Sequence, residues 1–190
     1  HQSFQRWGEL TGITYVFEPN DDGGNFFNAS GSLGVRGDVR IGGKFIDGQS
    51  GSNTLAYNNF PNGGDMVMDT SNTSFYGSSS ANFRNLRNTV MHEHGHGLGF
   101  FHVCPAVGEK LMEPFINTSF DGPQEDDILA GHRSYGDPNE NNNNSGNATD
   151  LGILGNGNHV VGDSSIDDNS DQDFFQFTVT GNKELSVILN

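Results

Sequence analysis

Eleven residues constrain this chain more than any other stretch: His92-Glu93-His94-Gly95-His96-Gly97-Leu98-Gly99-Phe100-Phe101-His102, carrying the pattern H-E-x-x-H-x-x-G-x-x-H. On an α-helix, residues four apart project from one face, about 40° apart around the axis and one turn along it. His92 and His96 therefore present their imidazoles to a common point. Gly99 has no Cβ, so the helix can end there and the chain turn back. That return brings His102 towards the same point as a third ligand. Three nitrogens suit zinc and leave its fourth tetrahedral position open, the pattern of a catalytic rather than a closed structural site. Glu93, beside the first histidine, is placed to take the proton of a water activated there.

His94 stands roughly 200° round the helix from both neighbours and is excluded as a ligand. Phe83, Leu86 and Val90 form a stripe at spacings of three and four, which predicts packing on the other side of the helix. Asn85 and Asn88 fall near the metal face and are expected to line a wetted cleft. A bare H-E-x-x-H arises often by chance, but the extended pattern fixes five positions. The intact Glu93 speaks against a metal site that has lost catalysis.

Other segments carry a resemblance. Lys110-Leu111-Met112-Glu113-Pro114 is similar to the Met-turn A-L-M-Y-P. Gln124-Glu125-Asp126-Asp127-Ile128, closing on Ser134-Tyr135-Gly136, is similar to a last helix running Q-D-D-I to L-Y-G. Gly37-Asp38-Val39-Arg40-Ile41 and Thr54-Leu55-Ala56-Tyr57-Asn58-Asn59-Phe60-Pro61 resemble sheet strands of the same family. With the zinc motif, these stretches resemble the metzincin clan of zinc endopeptidases, specifically the matrixins, over residues 1–137.

The resemblance implies an α+β catalytic domain: a twisted, mostly parallel sheet with an edge strand, an active-site helix, a Met-turn and a C-terminal helix. It implies a secreted zinc endopeptidase that hydrolyses protein or peptide substrates, with Glu93 catalytic and His92, His96 and His102 on the metal. Met112 is expected under the zinc. Met112 to Pro114 would wall the pocket for the side chain after the cleaved bond, with Glu113 in place of the usual Tyr. Thr54 to Phe60 would be the edge to which a substrate adds as a strand. The family's structural zinc uses two histidines whose positions match Tyr57 and Val67 here, so one zinc per chain is expected. Asp47 and Asp69 match acidic positions near a family calcium site; they read equally as Ca2+ ligands or as ordinary loop and strand-end acids. The rival reading is a zinc-binding or adhesion protein without catalysis.

Composition sets outer bounds. With 9 Lys+Arg against 24 Asp+Glu, the net charge is −15, which argues against nucleic acid as a partner. No apolar run approaches the ~20 residues of a membrane span. A single cysteine, Cys104, excludes an intrachain disulfide and reads as a small buried residue rather than a further ligand. A monomer is expected.

Along the chain, residues 1–138 read as the peptidase domain with its first strand missing, 139–148 as a flexible polar linker, and 149–190 as an incomplete β-sandwich-like module. Ala148 to Gly152 and Asp171 to Val179 resemble the opening of a bacterial pre-peptidase C-terminal domain. Phe4, Trp7 and Leu10 mark a helix; Ile13–Phe17, Asp38–Ile41 and Asp65–Asp69 read as strands, and 70–80 as linker. Pro123 is expected to start the last helix, with Glu125, Asp126 and Asp127 as partners of its dipole and His132 in packing.

Overall fold

The protein is described by a computed structural model covering residues 1–48, 53–61, 63–104, 106–162 and 164–188. Its first sheet is built on the strand β3, Met66–Asp69. Strand β1, Ile41–Lys44, pairs parallel to it, and β2, Ala56–Asn58, pairs antiparallel on the other side, giving the order β1-β3-β2. Met66, Val67 and Asp69 are all buried, so the central strand lacks the one-sided burial its alternation suggests. A strand covered on both faces has no solvent side to show.

Asp65 pins this sheet to the loop before it. Its carboxylate accepts from the Arg40 amide at 2.9 Å and the Phe27 amide at 2.8 Å, and pairs with the Arg40 guanidinium at 2.9 Å. Both side chains are buried, and bonds to a charged group are the stronger kind.

Three expectations shift. Ile13–Phe17 runs without a ladder, and Val16 and Phe17 face solvent, because no described strand lies alongside to pair with it. The strand expected at Asp38–Ile41 falls instead on Ile41–Lys44, where β3 supplies a partner in register, Ile41 opposite Met66. The stretch read as linker, 70–80, opens in a 3-10 turn, Thr70–Asn72, that runs into the short helix α2, Thr73–Tyr76. Asp69 caps the turn by accepting from the Ser71 amide at 2.9 Å.

Helix α1, Gln2–Leu10, lies against the long helix α3, Arg84–Gly97. Trp7, Met91 and Leu111 form the buried cluster between them, and Trp7 Nε1 donates to the Met91 carbonyl at 3.1 Å. Full burial of side chains this size contributes about 1.5–3 kcal/mol each. Of the predicted stripe, Val90 is buried and Leu86 half-buried. Phe83 lies outside the helix as its left-handed cap at φ 57°, and is exposed.

Helix α4, Glu125–Tyr135, is capped by Gln124 rather than started by Pro123. Past it, residues 137–148 form turns, and β4, Thr149–Leu154, pairs parallel with β5, Phe175–Val179. Among the described residues that ladder is the only sheet structure beyond residue 136.

Candidate metal centre

Helix α3 turns His92 and His96 to one side, and the chain then bends back at Gly99, whose φ of +100° is the left-handed conformation that the glycine permits. The Phe100 amide closes the turn on the Gly95 carbonyl at 2.9 Å. The Tyr135 hydroxyl, from the end of α4, donates to the Leu98 carbonyl at 2.7 Å. His102 arrives where the sequence puts it. Its Nε2 lies 3.2 Å from that of His92 and 3.1 Å from that of His96.

Those distances test the fit to zinc. Ligands at 2.0–2.1 Å in a tetrahedron stand about 3.3 Å from one another. Tautomers agree as well. His92 Nδ1 donates to the Leu111 carbonyl at 2.6 Å and His96 Nδ1 to the Phe100 carbonyl at 2.7 Å. Each ring thus keeps its proton on Nδ1 and turns a bare Nε2 lone pair inward. Burial pushes His92 down to about 4, and burial followed by the nearby His96 lowers His102. Neutral imidazoles are the form that ligates. The group runs from buried His92 through half-buried His96 to exposed His102, so it opens to solvent on one side.

Glu93 is buried next to the first ligand, and burial pushes its carboxyl up to about 7. A dication within reach acts in the opposite sense. His94 lies on the far side of the helix, as expected. It is buried, bonds the Tyr15 hydroxyl at 2.7 Å and lies with its ring centre 4.6 Å from that of Phe4, tilted by 57°.

The family model for Matrixin, peptidase M10, matches residues 1–136. This chain is a matrixin. It therefore falls among the metallopeptidases, whose substrates are proteins. No curated protein gives a significant match to it.

The Met-turn of this matrixin is fixed by acids whose part the sequence does not disclose. Met112 is buried against α3, where a Cβ on Gly95 would collide with its Sδ. Asp127, expected as a mere dipole partner, instead accepts from the Leu111 amide at 2.8 Å and the Met112 amide at 3.1 Å. The same carboxylate accepts from the Gln124 amide at 2.8 Å, completing a capping box. One side chain thus joins α4 to the turn whose Leu111 carbonyl holds His92. The capping spacing Gln124-x-x-Asp127 was the only signal available in the sequence.

Glu113 is also reassigned. Its side chain does not face a pocket but is buried, accepting from the Gly108, Glu109 and Lys110 amides at 2.6, 2.9 and 3.1 Å. These amides, Glu109's foremost, hold its carboxyl below the usual range. Asn88 is fully buried rather than wetted. It donates to the Asn117 and Phe120 carbonyls and accepts from the Gly122 amide, each at 2.9 Å. Asn85 donates to the Phe75 carbonyl at 3.1 Å.

Strand β2 is the sheet edge nearest α3, as the matrixin likeness implies, though shorter than Thr54–Phe60. Tyr57 and Val67 face each other across β2 and β3. Asp69 accepts from the Ser71, Ile46 and Asp47 amides, and Asp47 from the Thr54 amide. Among the described residues, no group of three metal-competent side chains includes either acid. Cys104, read as buried, is exposed. His132 packs as expected, bonding the Leu10 carbonyl at 2.7 Å. A groove lined by Arg6, Pro123, Ile128 and His132 lies away from the three ligands.

Proposed function

We propose that this matrixin is a secreted zinc endopeptidase in which His92, His96 and His102 hold one zinc and Glu93 moves the proton. The observation that carries the reading is the convergence of three lone-pair nitrogens, open to solvent, beside a buried glutamate. The chemistry supplied by zinc bound there is Lewis acidity, which polarises a carbonyl and brings the pKa of water down to about 7. The Leu111 and Phe100 carbonyls lock the tautomer and ring orientation of His92 and His96. Glu93 accepts a proton from the attacking water as a C–O bond forms, then returns it to the departing amine as the C–N bond breaks. Such a role is worth ~10²–10⁴-fold.

A substrate in extended form adds to the free edge of β2, with main-chain bonds giving affinity. Phe60 and Phe101, their rings 4.8 Å apart, lie next to the site; Phe60 stands 5.8 Å from the His96 ring and Phe101 is 73% exposed. They offer an apolar rim to a substrate side chain. In this reading the chain acts as a monomer, and residues 149–190 open an appended β module.

The deciding experiment is cleavage of casein or gelatin with and without a chelator. Cleavage that stops on zinc removal and returns on its readdition supports the reading. A chain that holds one zinc yet cleaves neither protein would establish the rival, a metal-binding protein without catalysis.

A further inference from the structure

The second ring nitrogen of His132 reaches the trailing segment of the chain. Its Nδ1 lies 2.8 Å from Ser165 Oγ, and Ser165 Oγ lies 2.7 Å from Asp167 Oδ1. Two more bonds bring the segment down on the turn after α4. The Ser165 amide donates to the Asp137 carboxylate at 2.8 Å, and Asn139 Nδ2 donates to Ser164 Oγ at 2.7 Å. His132 is 3% exposed, so its ring must be satisfied by protein groups. Through Nε2 it holds the Leu10 carbonyl, at the end of α1, at 2.7 Å. One imidazole thus ties α1, α4 and residues 164–167 together.

These contacts need one hydrogen more than neutral His132, Ser165 and ionised Asp167 contain. A carbonyl only accepts, so Nε2 carries a proton towards Leu10. Nδ1 of a neutral ring is then bare and requires the Ser165 hydroxyl as its donor. An ionised Asp167 requires the same hydroxyl, and a serine has one hydrogen to give. One further proton closes every contact. Placed on Nδ1, it makes the ring donate to Ser165, which donates in turn to Asp167. Placed on Asp167, it reverses both bonds. The count is the same either way, so the proton belongs to the pair.

The charges around the pair are mostly acidic. Asp137, Glu140, Asp171 and Asp173 surround Asp167. Burial first, then Asp171 and Asp137, raise its carboxyl against the opposing pull of Ser165 and His132. On the groove that His132 lines, Asp121 and Glu125 stand with one cation, Arg6. Arg133 follows His132 in α4 and is exposed. Such a setting favours retention of a proton.

We propose that His132, Ser165 and Asp167 form a proton-linked latch, which fastens residues 164–167 to α1 and α4 and releases them as pH rises. Closing strengthens the pair's hold on a proton. Its contribution is therefore present in full below the ordinary imidazole value, about 6.5, and is lost as pH rises through the closed-state one. The latch does not depend on the peptidase reading. The test is amide hydrogen exchange of the zinc-loaded full chain between about pH 5.5 and 8.5, corrected for the intrinsic pH dependence of exchange. Protection of the Ser165 amide should fall as pH rises, by up to about tenfold per pH unit, the slope of one proton. His132→Gln keeps a donor and an acceptor but cannot titrate, and Ser165→Ala removes the relay without touching the buried ring. Each should flatten the profile. His159→Gln, at an exposed histidine between β4 and β5, should leave it unchanged. Four results overturn the latch: protection independent of pH in the unsubstituted chain, protection that rises with pH, a slope that persists in Ser165→Ala or in folded His132→Gln, or a slope lost in His159→Gln.

Discussion

Glu93 and His94 are neighbours with opposite fates, and helix geometry separates them. His94 is driven into the α1 side, where burial pushes it down to about 4. Glu93 is buried beside the metal ligands. Glu93→Gln keeps the size of the side chain and removes its capacity to take a proton. We expect the variant to hold one zinc by elemental analysis while kcat falls ~10²–10⁴-fold. Retention of near-parent activity would move the proton carrier to another group. His102→Ala, by contrast, removes a ligand and should release zinc under dialysis conditions that leave the parent loaded.

At the scale of elements, the active-site helix depends on contacts made by segments distant in sequence. Asp127 ties α4 to the Met-turn through two amides, Leu111 and Met112, and to its own N-cap through a third. Asp127→Ala leaves these donors unpaired in a buried place. The expected loss is at least about 2 kcal/mol, a fall in Tm of roughly 4–8 °C for a chain of this size. Glu113→Tyr, which restores the usual matrixin residue, tests the reassigned acid. A phenol cannot accept from three amides at once, so the variant should lower Tm; altered cleavage preference at unchanged Tm would return residue 113 to the pocket wall. The same bonds set a pH dependence. The folded carboxyl of Glu113 is held low, so its stabilisation is present above the unfolded value, about 4.3, and is lost as pH falls through the folded one. The acid limb of a Tm-against-pH curve should be shallower in Glu113→Gln.

Across the whole molecule, separate parts of the chain converge on the three histidines. Helix α3 gives His92 and His96, and the segment after Gly99 gives His102. The Leu111 carbonyl of the Met-turn holds His92, α4 holds that turn through Asp127, and the edge strand β2 packs against α3. Zinc that binds only the folded chain stabilises it by mass action, by about 2.7 kcal/mol at a hundred times Kd. Chelation should therefore lower Tm by roughly 5–11 °C, and the effect should vanish in His102→Ala. A Tm indifferent to zinc in the parent would mean that the three histidines do not form a tight site.

What the sequence determined was whatever depends on short spacings. H-E-x-x-H with Gly99 and His102 follows from 3.6-residue periodicity and one left-handed glycine, both local, and the three nitrogens converge as that spacing implies. The exclusion of His94 rests on the same rotation. Tertiary structure alone decided which distant groups would meet. Nothing near Asp127 in sequence points to the amides of Leu111 and Met112, and a match to the matrixin turn placed Glu113 in a pocket wall, whereas the loop at 108–110 takes its buried carboxylate. Asn88 reads as polar and wet until three backbone groups from 117–122 surround it. Ile13–Phe17 has the composition of a strand but no described neighbour to pair with. A strand needs a partner and a buried acid needs donors, and both are supplied by segments that local pattern cannot see.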